Sequence, residues 1–329
     1  MTFCIRRREF IAGLGGAVAW PLAARAQRRP MQAIGYISTV TPEADARLLN
    51  AFRQVLRETG FVEGQNVAIE YRWAENRVDR LPQLATDLAR RRVDVLVAPD
   101  TPAALAAKPA TANIPIVFWS GDDPVQLGLV ASLNRPGGNL TGVNTMNPEL
   151  EGKRFSLLHE MLPRASRIVQ LVDANAPARD TAIRAAQAAA SSLGLQIQIL
   201  TANTLDEIDA AFARIAQKRP DALVITTSTL FFHLRVKVAT LATYHRLPAI
   251  FGMREFAEAG GLMSYGASVA ELYRQIGIYA GRILKGDKPS DLPVWRPTRF
   301  EFVINRSTAK ALGLEIPASV LALADEVIE

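Results

Sequence analysis

A chain of 329 residues, 49% hydrophobic and 21% charged, has a globular composition and is long enough for two modest lobes with a core each. Its formal charge of +6 is spread along the chain rather than gathered in one long basic block, which argues against a nucleic-acid footprint. The single cysteine, Cys4, lies in the N-terminal segment, so the rest of the chain has no disulfide, thiolate nucleophile or Cys-ligated metal.

The first 26 residues read as a cleaved export signal. Arg6-Arg7-Arg8-Glu9 forms a basic start, Ile11–Ala24 a mild apolar run, and Ala24-Arg25-Ala26 a cleavage site. Arg7-Arg8-x-Phe10-Ile11 is the twin-arginine (Tat) form, with the Sec route as the alternative. The apolar run is too short to span a bilayer, which takes roughly 20 residues. An amphipathic N-terminal helix is the competing reading. Cleavage after Ala26 removes a net +3 and leaves 303 residues with a net +3 and no cysteine. That remainder is expected in the periplasm.

Beyond the signal, short β-branched runs alternate with amphipathic stretches, the pattern of a parallel sheet covered by helices. Ala33–Ile37 is a continuous apolar run, as a strand buried on both faces would be. Residues 43–59 follow as a helix with Leu48, Leu49, Phe52, Val55 and Leu56 at helical spacing. Val67–Arg72, Val93–Ala98 and Ile114–Trp119 read as strands, 77–91 and 101–110 as helices, and Leu140–Val143 as a short strand after the Gly137-Gly138-Asn139 turn.

From Ser166 the pattern restarts. Arg167–Asp173, Leu195–Leu200, Ala222–Thr226, Pro248–Phe251 and Leu262–Tyr265 read as strands; 178–193, 205–217 and 229–245 read as helices. Arg92–Val97, a helix and Ile114–Phe118 are echoed by Arg219–Val224, a helix and Leu247–Phe251. Two similar α/β lobes in tandem explain the echo; one large doubly wound domain is the alternative. In the tail, Ser268–Leu284 is a long helix, Pro289–Pro297 an extended segment, Phe300–Ile304 a strand, and Ser307–Leu312 a helix capped by Ser307. The expected division is 27–145 with about 267–297 as lobe 1, and 146–266 with about 298–329 as lobe 2. The tail then crosses between the lobes and forms part of a hinge.

In open parallel sheets, ligands sit beyond the carboxyl ends of the strands, near helix N-termini. That rule selects Ser38, Thr39, Thr101, Ala103, Trp119 and Asp122 in the first lobe. In the second it selects Asp173, Asn175, Thr227, Ser228 and Tyr265. Thr101 and Ser228 are also N-cap types, so capping competes with ligand contact. Trp119 suits stacking on a planar ligand or packing as core or lid. Asp122 suits a ligand ammonium or a solvated loop, and Tyr265 either closes the cleft or packs on Tyr273. Of Phe231-Phe232, one ring belongs to the core and the other to the cleft.

No catalytic constellation accompanies these residues. His159, His233 and His245 are isolated, and neither a metal-ligand spacing, a G-x-S-x-G elbow, a phosphate-binding loop nor a dinucleotide fingerprint is present after a strand. No cofactor or metal is expected, and the chain does not read as an enzyme.

Several segments carry a family resemblance: Ile34-Gly35-Tyr36-Ile37-Ser38, Arg135-Pro136-Gly137-Gly138-Asn139-Leu140-Thr141-Gly142-Val143, Phe251-Gly252-x-Arg254-Glu255-Phe256, Gly260–Gly266 and Ala280–Gly286. With the signal, they resemble the periplasmic substrate-binding proteins of ABC importers, in the family of tryptophan- and tyrosine-type binders and closest to its rhizobial-type branch. The resemblance implies two Rossmann-like lobes with parallel sheets, type I periplasmic-binding-protein-like, around a ligand cleft. It further implies capture of a small carboxylate-bearing or aromatic solute by hinge closure, delivery to a membrane permease, and a monomer. Ile225–Thr229 lacks an acid that amino-acid-binding relatives often carry there, so an aromatic acid or another small carboxylate stands beside an aromatic amino acid as cargo. A periplasmic ligand sensor and a Tat-exported enzyme are the remaining readings.

Overall fold

The computed structural model describes residues 31–329; the export signal assigned to residues 1–26 lies outside them. Gln32–Ser38 (β1), Val67–Trp73 (β2), Val95–Ala98 (β3), Ile116–Ser120 (β4) and Leu140–Asn144 (β5) form one sheet, ordered β2-β1-β3-β4-β5 and parallel throughout. Pro42–Glu58 (α1), Leu81–Arg90 (α2) and Thr101–Ala110 (α3) supply its crossovers. β1, β3 and β5 are buried on both faces, as helix-covered parallel strands must be.

The second sheet has seven strands. In chain order they are Arg167–Asp173 (β6), Gln196–Ala202 (β7), Ala222–Ile225 (β8), Ala249–Phe251 (β9), Met263–Gly266 (β10), Glu301–Asn305 (β11) and Glu326–Ile328 (β12). They lie in the order β12-β11-β10-β9-β8-β6-β7. All pairs are parallel except β10 with β11, which is antiparallel because the chain re-enters this sheet from the other lobe.

Helices follow the expected order with instructive departures. Glu151–Met161 (α4) is absent from the sequence reading, because its buried face includes Glu151 and Arg154 and so breaks the apolar stripe. Arg179–Ser192 (α5) and Leu205–Lys218 (α6) fall where periodicity put them. The helix expected at 229–245 is two, Thr229–His233 (α7) and Arg235–Tyr244 (α8). The Arg235 guanidinium donates to the Phe232 carbonyl at 3.0 Å and lies 5.0 Å from the Phe232 ring, claiming an acceptor at the joint. Arg254–Glu258 (α9), Ala318–Leu323 (α12) and β12 are too short to show a period. Between them come Val269–Leu284 (α10) and Arg306–Ala311 (α11). Asn305, not Ser307, caps α11: its Oδ1 accepts from the Thr308 amide at 2.8 Å.

The chain passes between the two sheets three times. It leaves the first after β5, returns from β10 into α10, and leaves again beyond Trp295. α10 packs on α1 and over β3–β5, and the segment after it runs beside β5. There Trp295 N donates to Gly142 O (2.9 Å) and Asn144 N to Trp295 O (2.9 Å), while Thr141 Oγ1 donates to Leu292 O (2.7 Å). The close α10–α1 contact depends on Gly277 and Gly281. A Cβ at Gly281 would lie 2.6 Å from Thr59 Cβ, and one at Gly277 would lie 3.2 Å from the Phe52 carbonyl oxygen. Gly281→Val is therefore expected to lower stability by about 1–3 kcal/mol through overpacking, read as an earlier urea midpoint with an unchanged m-value.

Candidate functional site

The carboxyl ends of both sheets' strands face one cavity of about 620 Å³, a size that suits a small organic ligand. Ser38 ends β1 and Thr39 follows it, Thr101 opens α3, Trp119 lies near the end of β4 and Asp122 in the loop after it; all five line it. Opposite them, Asp173 and Asn175 follow β6, and Thr227 and Ser228 follow β8. Nine of the eleven residues selected from sequence thus share one cavity wall. The strand-end rule works because parallel strands all point the same way.

Two do not line it. Ala103 is fully buried under α3 and gives its amide to Asp100 Oδ1 at 2.8 Å. Tyr265 packs on Phe300, ring centroids 5.9 Å apart, on the other side of β10; it neither closes the cleft nor touches Tyr273. Alternation along β10 decides this: the neighbours Ser264 and Gly266 are fully enclosed while the Tyr265 ring stays half-buried.

Several groups have local duties. Asp100, not Thr101, caps α3; it also accepts from Thr39 N (2.9 Å) and Thr39 Oγ1 (2.6 Å), which binds the β1 and β3 loops together. Thr101 Oγ1 accepts from Gly121 N at 3.2 Å and sits 3.3 Å from Ser120 Oγ, so it anchors the β4 loop. Ser228 caps α7, accepting from Phe231 N at 3.2 Å. Phe231 belongs to the core and Phe232 to the cavity.

The β4 loop is held by its backbone. Asp122 N donates to Ser120 Oγ (3.1 Å), and Asp122 O accepts from Asn144 Nδ2 (2.6 Å) and Ser120 Oγ (2.9 Å). Its carboxylate makes no hydrogen bond among the described residues. Burial, then the charge of Asp173 from the other lobe, pushes the Asp122 carboxyl up to about 6. Burial also raises Asp173, opposed by the Asn175 amide at 3.0 Å and by the Ser228 hydroxyl. Two carboxylates, one at the strand ends of each sheet, therefore line the same cavity and repel each other.

Aromatic surfaces flank this pair. Trp119 meets Tyr273 edge-on at 6.2 Å, and Trp119 Nε1 donates to Thr145 Oγ1 at 3.4 Å. Tyr273 and Tyr36 donate to the buried Asp45 at 3.2 and 2.7 Å. His233 also lines the wall, kept neutral by burial and by Arg235, which hold it down to about 4. Tyr273, Asp45, Asn147, Asn203 and His233 were not selected from sequence. Asn203, just past β7, fits the strand-end rule; Tyr273 and Asp45 lie on helices, where only packing brings them to the cleft.

Two α/β lobes with a polar and aromatic cleft at the strand ends have the type I periplasmic-binding-protein-like fold. Residues 34–328 match the ABC transporter substrate binding protein family, and the chain belongs to it. It is 27% identical over 264 residues to a tyrosine-binding protein of Clostridioides difficile (strain R20291), covering 80% of this chain and 76% of that one. A Streptococcus pneumonia ABC domain in complex with L-Trp superposes with a TM-score of 0.83 at 26% identity, covering 90% of this chain and 99% of the other. The ligand-free, open structure of a Clostridium difficile substrate-binding protein with adhesive properties gives 0.67 at 28% identity and the same coverage. No helix among the described residues is long and apolar enough to cross a membrane.

The raised Asp122 carboxyl carries a sign. In this arrangement the folded state holds its proton to higher pH than the unfolded chain, so stability falls as pH rises from about 4 to about 6. Asp122→Asn should remove that slope: the variant is expected to be the more stable above pH 6 and equal near pH 4. Denaturant titrations of the empty protein across that range check it.

Proposed function

We propose that this protein is the periplasmic solute receptor of an ABC importer, and that its cargo is an aromatic amino acid. The observation that carries the reading is the confrontation of Asp122 and Asp173 across one cavity flanked by Trp119, Tyr273 and Phe232. A ligand ammonium between the carboxylates relieves their repulsion, and a planar side chain finds aromatic surface beside it. The relatives' ligands, tyrosine and L-Trp, belong to this class. The higher similarity to the L-Trp complex than to the open, ligand-free structure supports a cleft that closes around its ligand.

In this reading the first 26 residues export the chain, which acts as a monomer. Residues 27–145 with about 267–297 rotate against 146–266 with about 298–329. A ligand touching both lobes favours the closed state by its differential affinity, and the membrane permease receives that form. Binding, not catalysis, is the work of the cleft.

The test is calorimetric titration and thermal shift of residues 27–329 with L-tryptophan, L-tyrosine, indole-3-propionate and simple sugars. An amino acid at one hundred times its Kd is expected to add about 2.7 kcal/mol of stability. Indole-3-propionate, lacking the amine, is expected to bind about 10- to 100-fold more weakly, since it leaves the acids unpaired. Selective stabilisation by a sugar, or equal binding without the amine, overturns the cargo assignment. For export, Lys-Lys in place of Arg7-Arg8 is expected to leave precursor in the cytoplasm; undiminished export would assign the Sec route.

A further inference from the structure

Behind the second lobe's cavity wall lies a buried polar cluster. Arg154 on α4 is fully enclosed. Its Nη1 donates to Glu151 Oε1 at 2.6 Å and its Nε to the Tyr265 carbonyl at 3.0 Å; Gln170 Nε2 donates to the other Glu151 oxygen at 3.2 Å. The remaining nitrogen, Nη2, is buried and has no hydrogen-bond partner among the described residues. Thr227 lines the cavity, and its Oγ1 is likewise buried and unpartnered.

The two unpaired groups meet at Gly252. A Cβ on that residue would collide with Thr227 Oγ1 and lie 2.9 Å from Arg154 Nη2. One is a donor that cannot accept and the other a hydroxyl that does both. Leaving both unmet in a buried place is costly, and a bond between them would satisfy both.

We propose that Arg154 is a positioning residue for the ligand's carboxylate, acting through Thr227. The guanidinium has no lone pair, so a hydroxyl that accepts from Nη2 must direct its own proton elsewhere. The open side of Thr227 is the cavity, and the acceptor expected there is an anionic oxygen of the ligand. The second lobe then takes the carboxylate at Thr227 while Asp122 and Asp173 take the amine. Gly252 has no side chain because one would separate the arginine from the threonine. This inference rests on the amino-acid reading of the cleft.

The experiment compares L-tryptophan with tryptamine, which lacks the carboxylate, on the unaltered mature chain and on Thr227→Val and Gly252→Ala. Neither variant removes a charge from the Glu151–Arg154 pair. Each is expected to weaken L-tryptophan about tenfold while changing tryptamine less than twofold, and the double variant to lose little more than either single one. A merely structural role would weaken both ligands equally. Equal losses, or none, with normal L-tryptophan binding by the unaltered chain overturn this proposal alone. Failure of the unaltered chain to bind either ligand overturns the amino-acid reading and this proposal together.

Discussion

The ion pair between Glu151 and Arg154, fully enclosed in the second lobe, is the constraint on which the arrangement of the lobes turns. Glu151 begins α4 directly after the first passage between the sheets, and Arg154 grips the Tyr265 carbonyl directly before the second. One buried guanidinium thereby ties both strands of the crossing to the same body. Such a pair is weak evidence for net stability, since desolvation offsets much of its Coulomb energy. Removing one partner leaves a charge stranded and costs about 3–5 kcal/mol. Its value here is geometric: it holds the start of α4 and the end of β10 together where two of the crossings leave the second lobe.

The cleft inherits its character from that geometry. Parallel strands deliver short polar loops to the facing sheet edges, and most of those loops are stiffened by their own bonds, as with Asp100 to Thr39 and Asn144 to the β4 loop. What stays uncommitted is chemically selective. The Asp122 carboxylate faces Asp173 across the gap, and the Trp119 and Tyr273 rings stand beside them. An empty cleft in this arrangement carries unrelieved repulsion at neutral pH. In the proposed reading a ligand with a positive end removes it and so makes closure conditional on occupancy; an interaction of a few kcal/mol is enough to shift such an equilibrium.

Where sequence reasoning failed, a tertiary interaction had interrupted a local signal. α4 went unread because a charged pair occupies part of its buried stripe. The 229–245 helix was read as continuous because nothing in its periodicity reveals that the Arg235 side chain claims the Phe232 carbonyl. Ser307 was assigned a cap that Asn305 supplies from the strand end. Tyr265 was placed in the cleft by its position at a strand end, but alternation along β10 turns it to Phe300. The residues that do line the cavity follow from shorter-range rules. Ser38, Thr101, Asp122, Asp173 and Ser228 were found because a residue following a parallel strand has only one edge of the sheet to occupy.

The sequence by itself determined the alternation of strands and helices, the repeat of that pattern in two halves, and most of the strand-end loops that line the cavity. Those features depend on apolar periodicity and turn chemistry within a few residues. Only the tertiary structure decided that Asp122 and Asp173 share one cavity, that Tyr273 on α10 and Asp45 on α1 join it, and that the unpartnered Arg154 Nη2 and Thr227 Oγ1 meet at Gly252. These pairs are separated by tens to hundreds of residues along the chain. Their meeting depends on how the three crossings orient the two sheets, and no local pattern records that orientation.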